Sequence, residues 1–407
     1  MDQFTETTRT SYGQNIGNSF KGILVGIVFI IGSIVLLWWN EGRSVEQATA
    51  LAEMQENIIT LPDTKYDIKN ENKAVLLQGM VKPLSEVIDP EFGVISEGLV
   101  LRKHVEMYQW KENSSSKTEE KLGGSTETVT TYSYVKEWSS WQIDSSSFKH
   151  PSDHQNPMMT HKSETFVTDA QLGDYHLDTN IVSRIGASEI YHGLATMPDK
   201  IGIATNYKSY LYIGFSPQNP TIGDIKISYT YSPAAEYTFA AKSFNKTLVP
   251  YVTQNGKSFV FVRSGRVTAV TIFQEELDAN SVLTWILRGV GLLIMFIGFT
   301  MIMGPLATIA KVVPMFGSLV GGVTGIIAGV LTLILGSVVI ALAWFGSRPL
   351  LSLGILAVGV GIAVVMAKLG KRKGEEPVHA STASTPPPRE NDATPPPRSD
   401  ATPPPRT

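Results

Sequence analysis

The chain has no cysteine. That excludes a disulfide framework, a thiolate metal site and a cysteine nucleophile. It also has no dominant sign of charge: 34 basic residues stand against 37 acidic ones, a net −3, too small an imbalance to indicate nucleic acid or an acidic substrate. No nucleophile elbow, phosphate loop, dinucleotide fingerprint or HExxH pair occurs, so the common catalytic motifs with a known mechanism are missing. Four stretches near the two ends lack Asp, Glu, Lys, Arg and His altogether: residues 22–39, 289–310, 312–347 and 349–367. Transporters and proton channels usually carry ionisable groups at the midplane, and this lack weakens a transport reading.

Those same stretches are what the chain does contain: runs of Ile, Val, Leu, Phe and Gly long enough to cross a bilayer. Eighteen helical residues reach roughly 27 Å, the thickness of the hydrocarbon core. Trp38 and Trp39 close the first run where an aromatic belt belongs. No small-x-small cleavage site follows it, so a retained anchor is expected rather than a signal peptide. Four transmembrane helices are expected, over residues 21–39, 283–310, 314–346 and 349–368. Between them, residues 40–280 are polar and charged. Segments such as KAVLLQGMV, GLVLRKHVEMYQW, VTTYSYVKEW and IKISYTY are rich in β-branched and aromatic residues and separated by turn signals, among them Asn255-Gly256. The fold class expected is a multi-pass α-helical membrane protein with a β-rich (α+β) extramembrane domain of small-barrel or sandwich type. Residues 1–20, rich in Thr, Ser and Asn, read as a flexible arm, and the polar segment 111–128 as an exposed loop. The tail over 374–407 repeats TPPPR three times. It has too little apolar surface to form a core and reads as disordered with polyproline character.

Lys368, Lys371, Arg372 and Lys373 crowd the end of the last run, and Lys311, Lys21 and Arg9 fall on the same side of a four-span topology. The positive-inside bias then puts both termini in the cytoplasm and residues 40–280 on the opposite side.

Few constellations stand out. Asn40, Glu41, Gly42 and Arg43 lie directly at the membrane exit. Arg43 is a candidate to meet lipid headgroups or to pair with Glu41 or Glu46, and Gly42 permits a bend; the plainer reading is a helix cap and interface anchor. His150, Asp153, His154 and His161 could together hold Zn²⁺, but their spacing matches no metal signature, and a surface role is favoured; no metal or cofactor is expected. In the run around His104, strand alternation places Arg102, His104 and Glu106 on one face and Lys103, Val105 and Met107 on the other. Gly317, Gly321, Gly325 and Gly329 recur every four residues. Each step advances about 40° around a helix, so the glycines form a shallow groove suited to close helix packing within the chain or between protomers.

Several of these segments carry a family likeness. Asn40-Glu41-Gly42-Arg43 after the first span, the run LRKHVEMYQW with Arg102, His104, Glu106, Tyr108 and Trp110, the TYSY and Glu137-Trp138 segment, Asn156-Pro157 and Arg348-Pro349-Leu350 resemble the transmembrane protein 43 (LUMA) family. The hydropathy layout over about residues 20–370 agrees, while the PPPR tail departs from it. The resemblance implies a non-enzymatic, self-associating scaffold that organises membrane protein complexes, with membrane lipids, other membrane proteins and copies of itself as partners and no nucleic acid. For animal members it implies the endoplasmic reticulum and inner nuclear membrane; a bacterial chain would sit in the inner membrane without lamina partners. The alternative is a channel or transporter accessory subunit, supported only by the glycine-rich third run.

Overall fold

The structure is a computed structural model describing residues 2–312 and 314–345, with Gly354, Ala357, Val358, Gly359, Gly361 and Val364. The fourth span expected over 349–368 and the tail over 374–407 therefore lie outside the described residues, apart from those isolated positions.

The chain opens with strand β1 (Asp2–Thr10), where a flexible arm was expected. Eight polar residues and Phe4 form a strand here because they pair with another strand in continuous antiparallel register, from Asp2 opposite Tyr134 to Thr10 opposite Thr126. Ser11 then starts helix α1 (Tyr12–Asn57) with a capping box: its hydroxyl accepts from the Gln14 amide while the Gln14 side chain accepts from the Ser11 amide. This one helix of 46 residues, about 69 Å long, contains the whole first span. Leu24, Val28, Ile31, Val35, Trp38 and Trp39 are exposed along its apolar stretch, as lipid-facing residues must be. It continues unbroken through Gly42, so the bend that this glycine permits does not occur.

Eight further strands position the site. In chain order they are β2 (Ala74–Pro83), β3 (Val100–Glu120), β4 (Thr126–Ser139), β5 (Ala170–Leu172), β6 (Tyr175–Leu177), β7 (Ile225–Ser232), β8 (Ala235–Phe244) and β9 (Thr247–Val249). Strand β2 pairs with β5, β5 with β6, β6 in parallel with β9, β9 with β8, and β8 back with β2. The ring closes, giving a five-stranded barrel whose interior is filled by Val75, Leu77, Tyr175, Leu177, Phe239 and Leu248. The run KAVLLQGMV shows little alternation because its strand is buried on both faces. Val75 and Leu77 point into the barrel, while Ala74 and Leu76 pack against Ala50, Leu51 and Met54 of α1 and Ile272 and Phe273 of the next long helix. The sandwich alternative is set aside by this closure. The Asn255-Gly256 hairpin forms as expected, between Tyr251–Val252 and Ser258–Phe259, with Gly256 at φ +80°.

The second lobe is an open sheet in which β3 pairs with β4 on one side and β7 on the other. Residues 111–128, expected as a loop, instead extend β3 and β4 into a long ribbon to which β1 adds a third strand. The hairpin turns at Gly123 and Gly124, both at positive φ, where a side chain would be strained.

Among the described residues, three helices are long and apolar enough to cross a bilayer: α1, α2 (Ala269–Ala310) and α3 (Pro314–Phe345). The second starts fourteen residues before the span expected at 283 because its first turns pack on the barrel through Ile272 and Phe273. α1 and α2 run antiparallel and touch backbone to backbone where Gly26 faces Gly298; a methyl group on Gly26 would come within 2.6 Å of the Gly298 carbonyl oxygen. In lipid such close approach is what holds helices together. The ribbon tip reaches the ends of these helices remote from the barrel. Lys311 pairs with Glu120 at 2.8 Å, the Gly123 amide donates to the Val312 carbonyl, and Asn15 donates to the Gly124 carbonyl. The expectation that 40–280 lies wholly on one side of the bilayer is thus at odds with a ribbon that bridges the length of the spans.

Candidate functional site

The residues of the membrane-exit motif converge on one face of α2. Asn280, Thr284 and Arg288 are spaced four apart, so they form a single stripe on that helix, and α1 turns Asn40 and Glu41 toward it, both fully buried. The Asn40 amide donates to the Thr284 carbonyl at 3.1 Å. Arg43 donates to the Asn280 side-chain oxygen at 3.0 Å, to the Thr284 hydroxyl at 3.0 Å and to the Asn40 oxygen at 3.4 Å. Asn280 in turn donates to the Ser44 carbonyl at 2.9 Å. The centre of the site is a bidentate ion pair, with Arg288 Nε and Nη2 donating to the two Glu41 oxygens at 2.6 and 2.7 Å. The Arg288 guanidinium lies 4.6 Å from the Trp285 ring and 5.5 Å from that of Trp344, and the Trp344 indole N–H donates to Glu41. Three helices are joined at one carboxylate.

Neither expected partner of Arg43 is used. Glu41 is taken by Arg288 and Glu46 reaches Lys257, so among the described residues Arg43 bonds to neutral oxygens. Gly42 is on the exposed side. The helix-cap reading fails because α1 continues to Asn57. The sequence singles out none of Asn280, Thr284, Arg288 and Trp344 as site residues. The available signal was a polar residue every fourth position leading into an apolar helix.

The second group lies on β3. Its alternation is as expected: Arg102 and His104 are exposed, Glu106, Tyr108 and Trp110 half-buried, and Lys103, Val105 and Met107 buried. His104 is 3.2 Å from the Ser140 hydroxyl and 3.9 Å from Glu106; Tyr108 stacks near Trp138, and Trp110 lies under Lys136 and edge-on to His154. The opposite face holds what the sequence reading did not anticipate. Lys103, with no exposed side-chain surface, donates to Glu91 at 2.5 Å and to Glu164 at 3.2 Å and lies 3.8 Å from the buried Asp89. Tyr229 donates to Asp89 at 2.6 Å, and His161 meets Glu91. Burial opposes the Lys103 charge, but the bonds to Glu91 and Glu164 and the Asp89 charge outweigh it and hold its amine above the ordinary lysine range. Burial likewise opposes the Glu91 charge, yet Lys103 and His161 keep its carboxyl below the usual value.

The four residues weighed as a metal site are not brought together. His154 stacks on Tyr134 at 3.7 Å and contacts the His150 carbonyl, whereas His161 belongs to the Glu91 network. Of the glycine ladder, Gly329 has Phe296 of α2 as its nearest neighbour for an added methyl group, at 3.9 Å, while Gly321 and Gly325 would meet nothing within 4 Å. The surroundings of Gly317 lie outside the description.

Comparison with known proteins agrees with this layout. The family model for transmembrane protein 43 matches residues 107–349, from the middle of the HVEMYQW run to the Arg348-Pro349 segment. The chain belongs to the transmembrane protein 43 family. It is 28% identical to human transmembrane protein 43 over 385 residues, covering 91% of this chain and 95% of the human one. Similar figures hold for the mouse protein, 29% over 390 residues, 91% and 96%, and a fruit-fly homologue is 26% identical over 363 residues, 86% and 95%. No solved structure matches the chain.

Proposed function

We propose that this chain is a non-enzymatic membrane scaffold that self-associates and holds other membrane proteins through its β-lobes. The observation that carries the reading is the clamp: Glu41, Arg288 and Trp344 tie three membrane helices together directly beneath a barrel that rests on the same α1 and α2. Such an arrangement transmits position rather than performing chemistry. Two surfaces favour further copies as partners. Among the described residues, nothing lies within 4 Å of a methyl group added at Gly321 or Gly325 of α3. The ribbon, made of Ser, Thr, Glu and Lys, cannot face acyl chains and needs water or protein beside the spans. Replacing Gly321 and Gly325 with Leu is expected to shift the detergent-solubilised protein to a smaller assembly and to lower recovery of cross-linked membrane partners. Wild-type assembly size, or ion conductance by the pure protein in liposomes, would count against the scaffold.

The helix ends bearing Lys21 and Lys311, together with the ribbon tip, are assigned to the cytoplasm by the positive-inside bias. In this cysteine-free chain, a cysteine at Leu122, 85% exposed at the tip, should react with an impermeant maleimide from the cytoplasmic side. One at Ile68, 70% exposed beside the barrel, should react from the other side. Labelling of both from one side would refute this topology.

A further inference from the structure

Directly beside the clamp, a cavity of about 500 Å³ opens between α1, α2 and α3, with Ser44, Ala48, Ser281, Trp285, Arg288 and Trp344 among its walls. Its chemistry is divided. Ala48, Val45, Leu277 and the two indoles make one part apolar, while Ser44, Asn280, Ser281, Thr284 and Arg288 make the other polar. Its depth is set by the tryptophans: Trp38, Trp39 and Trp285, all more than half exposed, mark the belt where headgroups meet acyl chains. Its charge does not cancel. Glu41 neutralises one guanidinium through Arg288 Nε and Nη2, leaving Nη1 outside that pair. Among the described residues, Arg43, bonded to the Asn280 and Thr284 walls, has no carboxylate partner, and its buried Nε has no hydrogen-bond partner. One positive charge is therefore left over in a partly buried site. An uncompensated charge there is costly unless something pairs with it.

We propose that this cavity binds an anionic phospholipid, its phosphate held at the Arg43–Arg288 end and its acyl chains lying along the apolar surfaces of α1 and α2. Arg288 is the guanidinium in the cavity wall and matches phosphate oxygens in geometry and charge, Arg43 adds its charge from behind the Asn280 and Thr284 walls, and a glycerophospholipid is the phosphate ester present at this depth. This rests on the membrane placement of the helices and not on the scaffold reading.

The test uses the full-length protein in mild detergent, with lipid occupancy read by native mass spectrometry and thermal stability read in parallel. Phosphatidylglycerol is expected to bind and to raise the melting temperature, phosphatidylcholine to do so at least tenfold more weakly, and millimolar inorganic phosphate to leave the melting temperature unchanged. Ala48→Trp and Ser281→Trp fill the cavity from opposite walls without touching the clamp, and Ser281 is exposed; each should abolish bound lipid while assembly size is retained. Arg43→Gln should lower affinity for phosphatidylglycerol at least tenfold and remove the preference over phosphatidylcholine. Undiminished occupancy in both tryptophan variants overturns the site. A stabilisation by inorganic phosphate equal to that by lipid overturns the lipid assignment in favour of a free anion.

Discussion

Arg288→Leu is expected to destabilise the helix bundle by about 3–5 kcal/mol, and Glu41→Leu/Arg288→Leu to recover most of that loss. The reasoning turns on Glu41, which has no solvent exposure and whose two oxygens accept from Arg288 at 2.6 and 2.7 Å. With the guanidinium removed, the carboxylate keeps the Trp344 indole donor but stays buried without its ion partner. Removing both charges leaves three helices joined by Trp344, Leu37, Met295, Val339 and Ile340, which already pack together. Thermal unfolding of the wild type, both single variants and the double variant in one detergent closes the cycle. A loss below about 1 kcal/mol in Arg288→Leu would mean that the pair is no more than a surface-like contact.

The membrane part of this fold was readable because hydrocarbon imposes a simple demand, a run of uncharged residues about 30 Å long. The β character of the middle was readable from its residue types, and the facing of Arg102, His104 and Lys103 from strict alternation. What escaped were features decided by distant partners. Glu41 and Arg288 are 247 positions apart, and nothing local to either foretells the other. The barrel closes through β2 and β8, with Val81 opposite Ala235, and closure has no period to detect. β1 is polar but for Phe4 and would be an arm in isolation; pairing with the edge of β4 makes it a strand. Alternation placed Lys103 on the face of Val105 and Met107, yet lysine on a core face looks like an error in the pattern until Asp89, Glu91 and Glu164 are found around it.

Those three carboxylates make Lys103→Met the second large effect, a loss of about 3 kcal/mol at pH 7. The ammonium lies 5.7 Å from the Phe92 ring and 5.6 Å from that of Phe166, so a methionine chain of similar length still fills the space, and little of the loss comes from a cavity. The cost arises at Asp89, which is fully buried and retains Tyr229 and the Glu91 amide as donors but no cation. The pH dependence separates charge from packing. In the wild type, Glu91 has a depressed folded pKa, so its contribution is complete above the ordinary carboxylate value of about 4.3 and is lost as pH falls through the folded value. Lys103 has a raised one, so its contribution is complete below about 10.4 and is lost as pH rises through the folded value. Stability should therefore be level between these limits. In Lys103→Met, Glu91 loses the ammonium that holds its carboxyl down, so the variant should lose less than the wild type, and its deficit should narrow, as pH falls below about 4.3. Unfolding of both proteins at pH 7 and pH 3 measures this directly; a deficit that is the same at both values would assign the loss to packing rather than to charge.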